Sequence, residues 1–147
     1  MTRTGLTTSL RLLTSMVAMS LATVPARAQQ SAPVLILELN AAQASDKGCR
    51  LTFVVNNNLG ADLSKAAFEI ALFNEAGVVD RLTVLDFKEL TAGKTKVTRF
   101  DLAGTDCTKI SRVLINSATE CAGTGVEPNA CMRKLKTDTK TGIAFGV

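Results

Sequence analysis

Two stretches of this chain alternate in character with a period of two: Leu51, Phe53 and Val55 in CRLTFVVNNN, and Phe68, Ile70 and Leu72 in AFEIALFN. Successive side chains of a strand point to opposite faces, so each stretch presents one apolar face that needs a core. Such residues specify packed sheets. Between them, Asn56-Asn57-Asn58-Leu59-Gly60-Ala61-Asp62 reads as a turn, because asparagine tolerates left-handed backbone and bonds its own main chain, and glycine is permissive. Comparable runs recur at Val34 to Leu39, Val78 to Phe87, Lys94 to Leu102, Ile110 to Thr119 and Ile143 to Val147, with one helical turn expected at Met132 to Leu135. Short strands at regular spacing, separated by turn signals and without a long 3.6-residue period, predict an all-β, antiparallel sandwich of about seven strands.

The first 28 residues have a different logic. Arg3 and Arg11 precede a 13-residue apolar run, Leu12 to Val24, and Ala26-Arg27-Ala28 places small residues at a cleavage site. That order matches a secretory signal peptide, and the run is too short to span a bilayer. Residues 1–28 are therefore expected to be removed, leaving 29–147 as one domain in the periplasm or outside the cell. Removal also changes the charge. Of 17 Lys and Arg against 13 Asp and Glu, three basic and no acidic residues lie in that segment, which leaves 14 against 13, a balance of +1. A balance so near zero gives no ground for nucleic-acid binding, which needs a concentrated basic face.

All four cysteines, Cys49, Cys107, Cys121 and Cys131, fall after the export segment. An even number in an oxidising compartment predicts two disulfides. Zinc is disfavoured because there is no CxxC pair and no histidine in the chain. In a Greek-key sandwich the strand ending near Leu102 runs antiparallel to the one opening at Arg50, which places the Cys107 loop near Cys49. Cys121 lies at the far end of a strand about ten residues, or roughly 33 Å, long, too far for a bridge of about 4.4 to 6.8 Å between α-carbons. The expected pairs are Cys49 with Cys107 and Cys121 with Cys131.

Chemistry is thinly represented. Histidine, tyrosine and tryptophan are all absent, so Ser-His-Asp and Cys-His arrangements are excluded and general acid-base work falls to scattered carboxylates. No enzyme and no cofactor is expected. Asp101 and Asp106 flank Gly104 but lack the spaced oxygen donors of a calcium loop, and Ala122-Gly123-Thr124-Gly125 is followed by no Gly-Lys-Ser/Thr. Two basic clusters remain: Lys94, Lys96 and Arg99 around one half-polar, edge-type strand, and Arg133, Lys134, Lys136 and Lys140 in the tail. Lysine on an edge strand guards against aggregation; the same residues are the candidate partner contacts.

LELN, GCRLTFVVNN, FEIALFNEAGVV, LTAGKTKVTRFDLAG and the run Arg112 to Asn116 between Cys107 and Cys121 together resemble a family of small exported bacterial proteins of uncharacterised function. The corner Phe73-Asn74-Glu75-Ala76-Gly77 is similar to that of bacterial immunoglobulin-like and fibronectin-like sandwiches. The resemblance implies an immunoglobulin-like fold and an association with TonB-type uptake machinery. The expected function is that of a non-enzymatic binding or structural domain that meets another envelope protein. The alternative is a small-ligand carrier or sensor, which needs a concave apolar pocket.

Overall fold

The computed structural model describes residues 1–2 and 32–147. The export segment expected at 1–28 and its cleavage site lie, beyond the first two residues, outside them. Among the described residues eight strands form: β1 (Val34–Ser45), β2 (Gly48–Asn58), β3 (Leu63–Asn74), β4 (Val79–Leu90), β5 (Thr95–Ala103), β6 (Ile110–Ala122), β7 (Leu135–Thr139) and β8 (Ala144–Gly146). They build two four-stranded sheets, sheet I in the order β5-β2-β1-β7 and sheet II in the order β4-β3-β6-β8. The all-β architecture is the one the alternation predicts.

The alternating residues are the inner faces. Leu51, Phe53 and Val55 of β2 and Phe68, Ile70 and Leu72 of β3 are all buried, facing Leu35, Leu37 and Leu39 of β1 and Val113 and Ile115 of β6. Five of the six phenylalanines interlock in this space. Phe53 meets Phe87, Phe100 and Phe145 edge-on with centroids 5.6 to 6.0 Å apart, and Phe87 also meets Phe100 at 5.0 Å and Phe68 at 5.9 Å. T-shaped contacts of this kind add about 0.5 to 1.5 kcal/mol each beyond the area they bury.

Three elements depart from the sequence expectation. Ala41 to Gly48, expected as a connection, is mostly strand: β1 slips one register position between Leu39 and Ala41 and continues pairing with β2 as far as Ser45 and Gly48. Alanine is a poor strand former, and a strongly patterned neighbour overrides that preference. The asparagine run, expected as a turn, is the end of β2. Buried Asn57 donates its side-chain amide to the carbonyls of Ala61 (2.9 Å) and Leu90 (2.8 Å) and accepts from the Leu59 backbone amide (3.1 Å). The turn begins three residues later than the composition implied, pinned from inside.

The third departure is strand direction. Pairings among β1 to β6 are antiparallel, but β7 runs parallel to β1 and β8 parallel to β6. After β6 the chain passes through α1 (Ala130–Arg133), a single turn in place of the one expected at Met132 to Leu135, so that β7 starts level with Leu35. The Thr139 hydroxyl then bonds Thr141 and the Ile143 carbonyl, bending the chain from sheet I to sheet II. Among the described residues no helix is long and apolar enough to cross a membrane.

Candidate interaction surfaces

Cys49 opens β2 beside Leu102 of β5, and the chain then turns into a short 3-10 segment, Cys107–Lys109. Cys49 and Cys107 are bridged with α-carbons 4.9 Å apart, which ties sheet I to the entry of β6 in sheet II. Cys121 at the end of β6 is bridged to Cys131 on α1, α-carbons 5.8 Å apart. Both pairs are those expected from the strand order. Close approach needs a glycine here: Gly48 has φ +144°, and a Cβ on it would overlap the Leu102 carbonyl oxygen.

Lys94, Lys96 and Arg99 do not form one patch. Lys96 shares the inward parity of Phe100 and Leu102, and its ammonium donates to the carbonyls of Phe87 (2.9 Å) and Glu89 (2.8 Å) on β4. At the other end of the same seam, the Arg81 guanidinium on β4 donates to the Ala103 carbonyl on β5 (2.9 Å). β4 and β5 are the edges of sheets II and I on one side of the sandwich, so these two cations close that side. Arg99 is exposed on the outer parity of β5, next to exposed Val97, and Lys94 is exposed in the preceding turn. Only Arg99 and Lys94 face solvent freely. Sequence alternation separates Lys96 from Arg99; only packing shows what Lys96 holds.

The outer faces of the two sheets differ in kind. On sheet I, strand register sets Val97, Val54, Glu38 and Asp138 in one row and Asp101 and Arg50 in another. The charges in these two rows are paired. Arg50 meets Asp101 at 2.8 Å, and Lys140 meets Asp138 at 2.8 Å and Glu38 at 3.5 Å. The hydrogen bond from Arg50 holds the Asp101 carboxyl below its ordinary value and raises the guanidinium; the bond from Lys140 lowers Asp138 in the same way.

On sheet II the register aligns Leu82, Ala71, Leu114 and Gly146 in a row that crosses all four strands without a polar side chain. Leu82 is 57% exposed, and its strand neighbours Val84 and Val79 are 51% and 48% exposed. Val79 stands opposite Phe73, and Val84 opposite Glu69. The Arg112 guanidinium lies 5.5 Å from the Phe73 ring centroid, a cation-π contact. This face was missed in the sequence, though a signal exists: β4 carries apolar residues on both parities, Leu85 and Phe87 inward, Leu82 and Val84 outward.

Clefts occur at the ends of the sandwich. One of about 520 Å³ is lined by Asp62, Ser64, Glu89, Thr91 and Thr124 among others, and one of about 290 Å³ at the opposite end of β3 by Asp80, Thr105, Asp106 and Lys109 among others. Two of their acids, Asp62 and Asp106, have local work. Asp62 accepts from the Ala92 amide (2.7 Å), and Asp106 accepts from the Thr108 amide (2.9 Å) and hydroxyl (2.7 Å), which lowers its carboxyl. Asp101, which flanks Gly104 in sequence, turns to Arg50. Among the described residues no three His, Cys, Asp or Glu side chains gather as a metal site. No family model, curated protein or solved structure matches the chain.

Proposed function

We propose that this protein is an exported, non-enzymatic binding or structural domain that acts by surface contact with another envelope protein. The observation that carries the reading is the filled interior. Five interlocked phenylalanines occupy the space between the sheets, and among the described residues the buried polar side chains are Asn57, Thr52 and Thr105, none ionisable. A carrier needs an apolar hollow between the sheets, and the clefts described lie at the ends with mixed polar and apolar linings. Two disulfides favour an oxidising compartment, periplasmic or extracellular. An immunoglobulin-like assignment has support in the strand order: β1, β2 and β5 follow the A-B-E arrangement, and β4-β3-β6 the C′-C-F arrangement. The parallel β8 departs from that fold.

The contact favoured for the envelope partner is the solvent side of β5, where Lys94 and Arg99 flank exposed Val97. A photo-crosslinker placed at Val97 in exported protein should trap a discrete adduct in intact envelopes, and the pair Lys94→Glu and Arg99→Glu should abolish it at unchanged melting temperature. An adduct indifferent to those reversals removes this surface from the proposal.

A further inference from the structure

The row Leu82, Ala71, Leu114, Gly146 on the outer face of sheet II is framed symmetrically. On β3, Ala71 is midway between Glu69 and Phe73. Opposite Phe73 stand Val79 on β4 and Arg112 on β6; opposite Glu69 stand Val84 on β4 and Ser117 on β6, next to Asn116, whose amide donates to the Glu69 carboxylate (2.6 Å). One flank of the row thus ends in a cation and the other in an anion, each about 7 Å from the row along the strand. Neither Arg112 nor Glu69 has an ion-pair partner among the described residues.

A two-fold axis lying along the row exchanges its flanks. Leu82 then packs on its own copy, Val79 meets Val84 of the other molecule, and Arg112 stands over the Asn116 and Glu69 end of the other molecule, with the reciprocal contact made at the same time. Isologous interfaces need this self-complementarity, residue i meeting j and j meeting i. Sheet-on-sheet packing with apolar inner rows is the ordinary way two sheets associate.

We propose that the outer face of sheet II is a homodimer interface, whose occupant is a second copy of this chain held by the Leu82 row and by reciprocal Arg112 to Glu69 contacts. The arrangement leaves the β5 surface of each copy free and doubled, so the dimer does not compete with the partner contact proposed above, and either can fail alone.

Sedimentation of the full chain, purified as it accumulates after export, tests this up to ~100 µM, a range that includes weak association. The wild-type protein is expected to dimerise reversibly. Arg112→Glu and Glu69→Arg should each weaken dimerisation at least tenfold, since each places like charges together twice, and mixing the two variants should restore a heterodimer in which both contacts are again of opposite sign. Leu82→Glu should abolish association. Gln43→Glu is the control, since Gln43 is exposed on β1 of sheet I in register with Arg50 and takes no part in the β5 contact, and it should leave association unchanged. A monomeric wild-type chain, a dimer indifferent to Arg112→Glu and Glu69→Arg, or folded single variants that do not combine would each overturn the proposal. Melting curves of every variant separate lost association from a lost fold.

Discussion

The outer faces of sheets I and II are covered by similar numbers of strands, yet they treat their charges and apolar residues differently. Sheet I presents Arg50, Asp101, Glu38, Asp138 and Lys140 as local ion pairs, with Val97 and Val54 in a row that continues into Glu38 and Asp138. Sheet II sets Leu82, Val84 and Val79 along one strand and leaves Arg112 and Glu69 without ion-pair partners among the described residues. A single exposed apolar residue is normal on any protein, whereas a contiguous row is a mark of contact. Exposure alone does not separate the faces, because Leu82 and Val97 are equally exposed; their neighbours in register do.

Both faces rest on one core, and the Cys49–Cys107 bridge joins the sheets that carry them. The chain-entropy argument assigns about 4 kcal/mol to this bridge, which closes a loop of about 59 residues, and about 3 kcal/mol to Cys121–Cys131, which closes about 11. Cys49→Ser with Cys107→Ser should therefore give the largest loss in chemical denaturation, ahead of Cys121→Ser with Cys131→Ser. Equal losses, or a larger one at the short bridge, would show that the sheets are coupled mainly through α1 and β7.

Within β5 the contrast can be sharpened at two cations three residues apart. Lys96→Met removes two ammonium-to-carbonyl hydrogen bonds across the β4 to β5 seam and leaves the Phe87 and Glu89 carbonyls without that donor. A loss of about 1 to 2 kcal/mol is expected, with a visible drop in melting temperature. Arg99→Met, on the solvent side, should stay within about 0.5 kcal/mol of wild type. Should both substitutions behave alike, Lys96 does not close the seam.

The smallest effect is expected from acid. Asp101 and Asp138 on sheet I, and Asp86 and Asp106 elsewhere, have folded values below the ordinary 3.8. A lowered carboxyl adds stability that is complete above its unfolded value and is lost as pH falls through the folded one. Stability from these pairs should thus be flat from about pH 7 down to about pH 5 and decline only below about pH 4. Because the groups are exposed, the decline should be shallow and further reduced by salt. A fall in melting temperature already at about pH 6, where no such carboxyl titrates, would mean that another ionisation controls the fold.

Much of the architecture was legible in the chain. Period-two alternation in β2 and β3 identified which side chains face the core, because the pleat fixes side-chain direction residue by residue. The positions of four cysteines, together with the antiparallel relation of β2 and β5, identified both bridges. The absence of histidine, tyrosine and tryptophan set the limits of the available chemistry. Alternation and composition are local facts that survive without a partner strand, and the bridges needed only one assumed strand pairing beyond them.

What tertiary structure decided is everything that depends on a neighbour. The sequence did not show that Asn57 is buried, since its role needs the Leu90 carbonyl 33 residues away. Nor did it show that Lys96 belongs to the seam, that β7 and β8 run parallel to their partners, or that Leu82, Ala71 and Leu114 align across three strands. Alternation states which way a residue points but not which residue of another strand lies beside it. Register is set by non-local pairing, bulges and the return path of the chain, so surfaces made of several strands exist only once the sheets have formed.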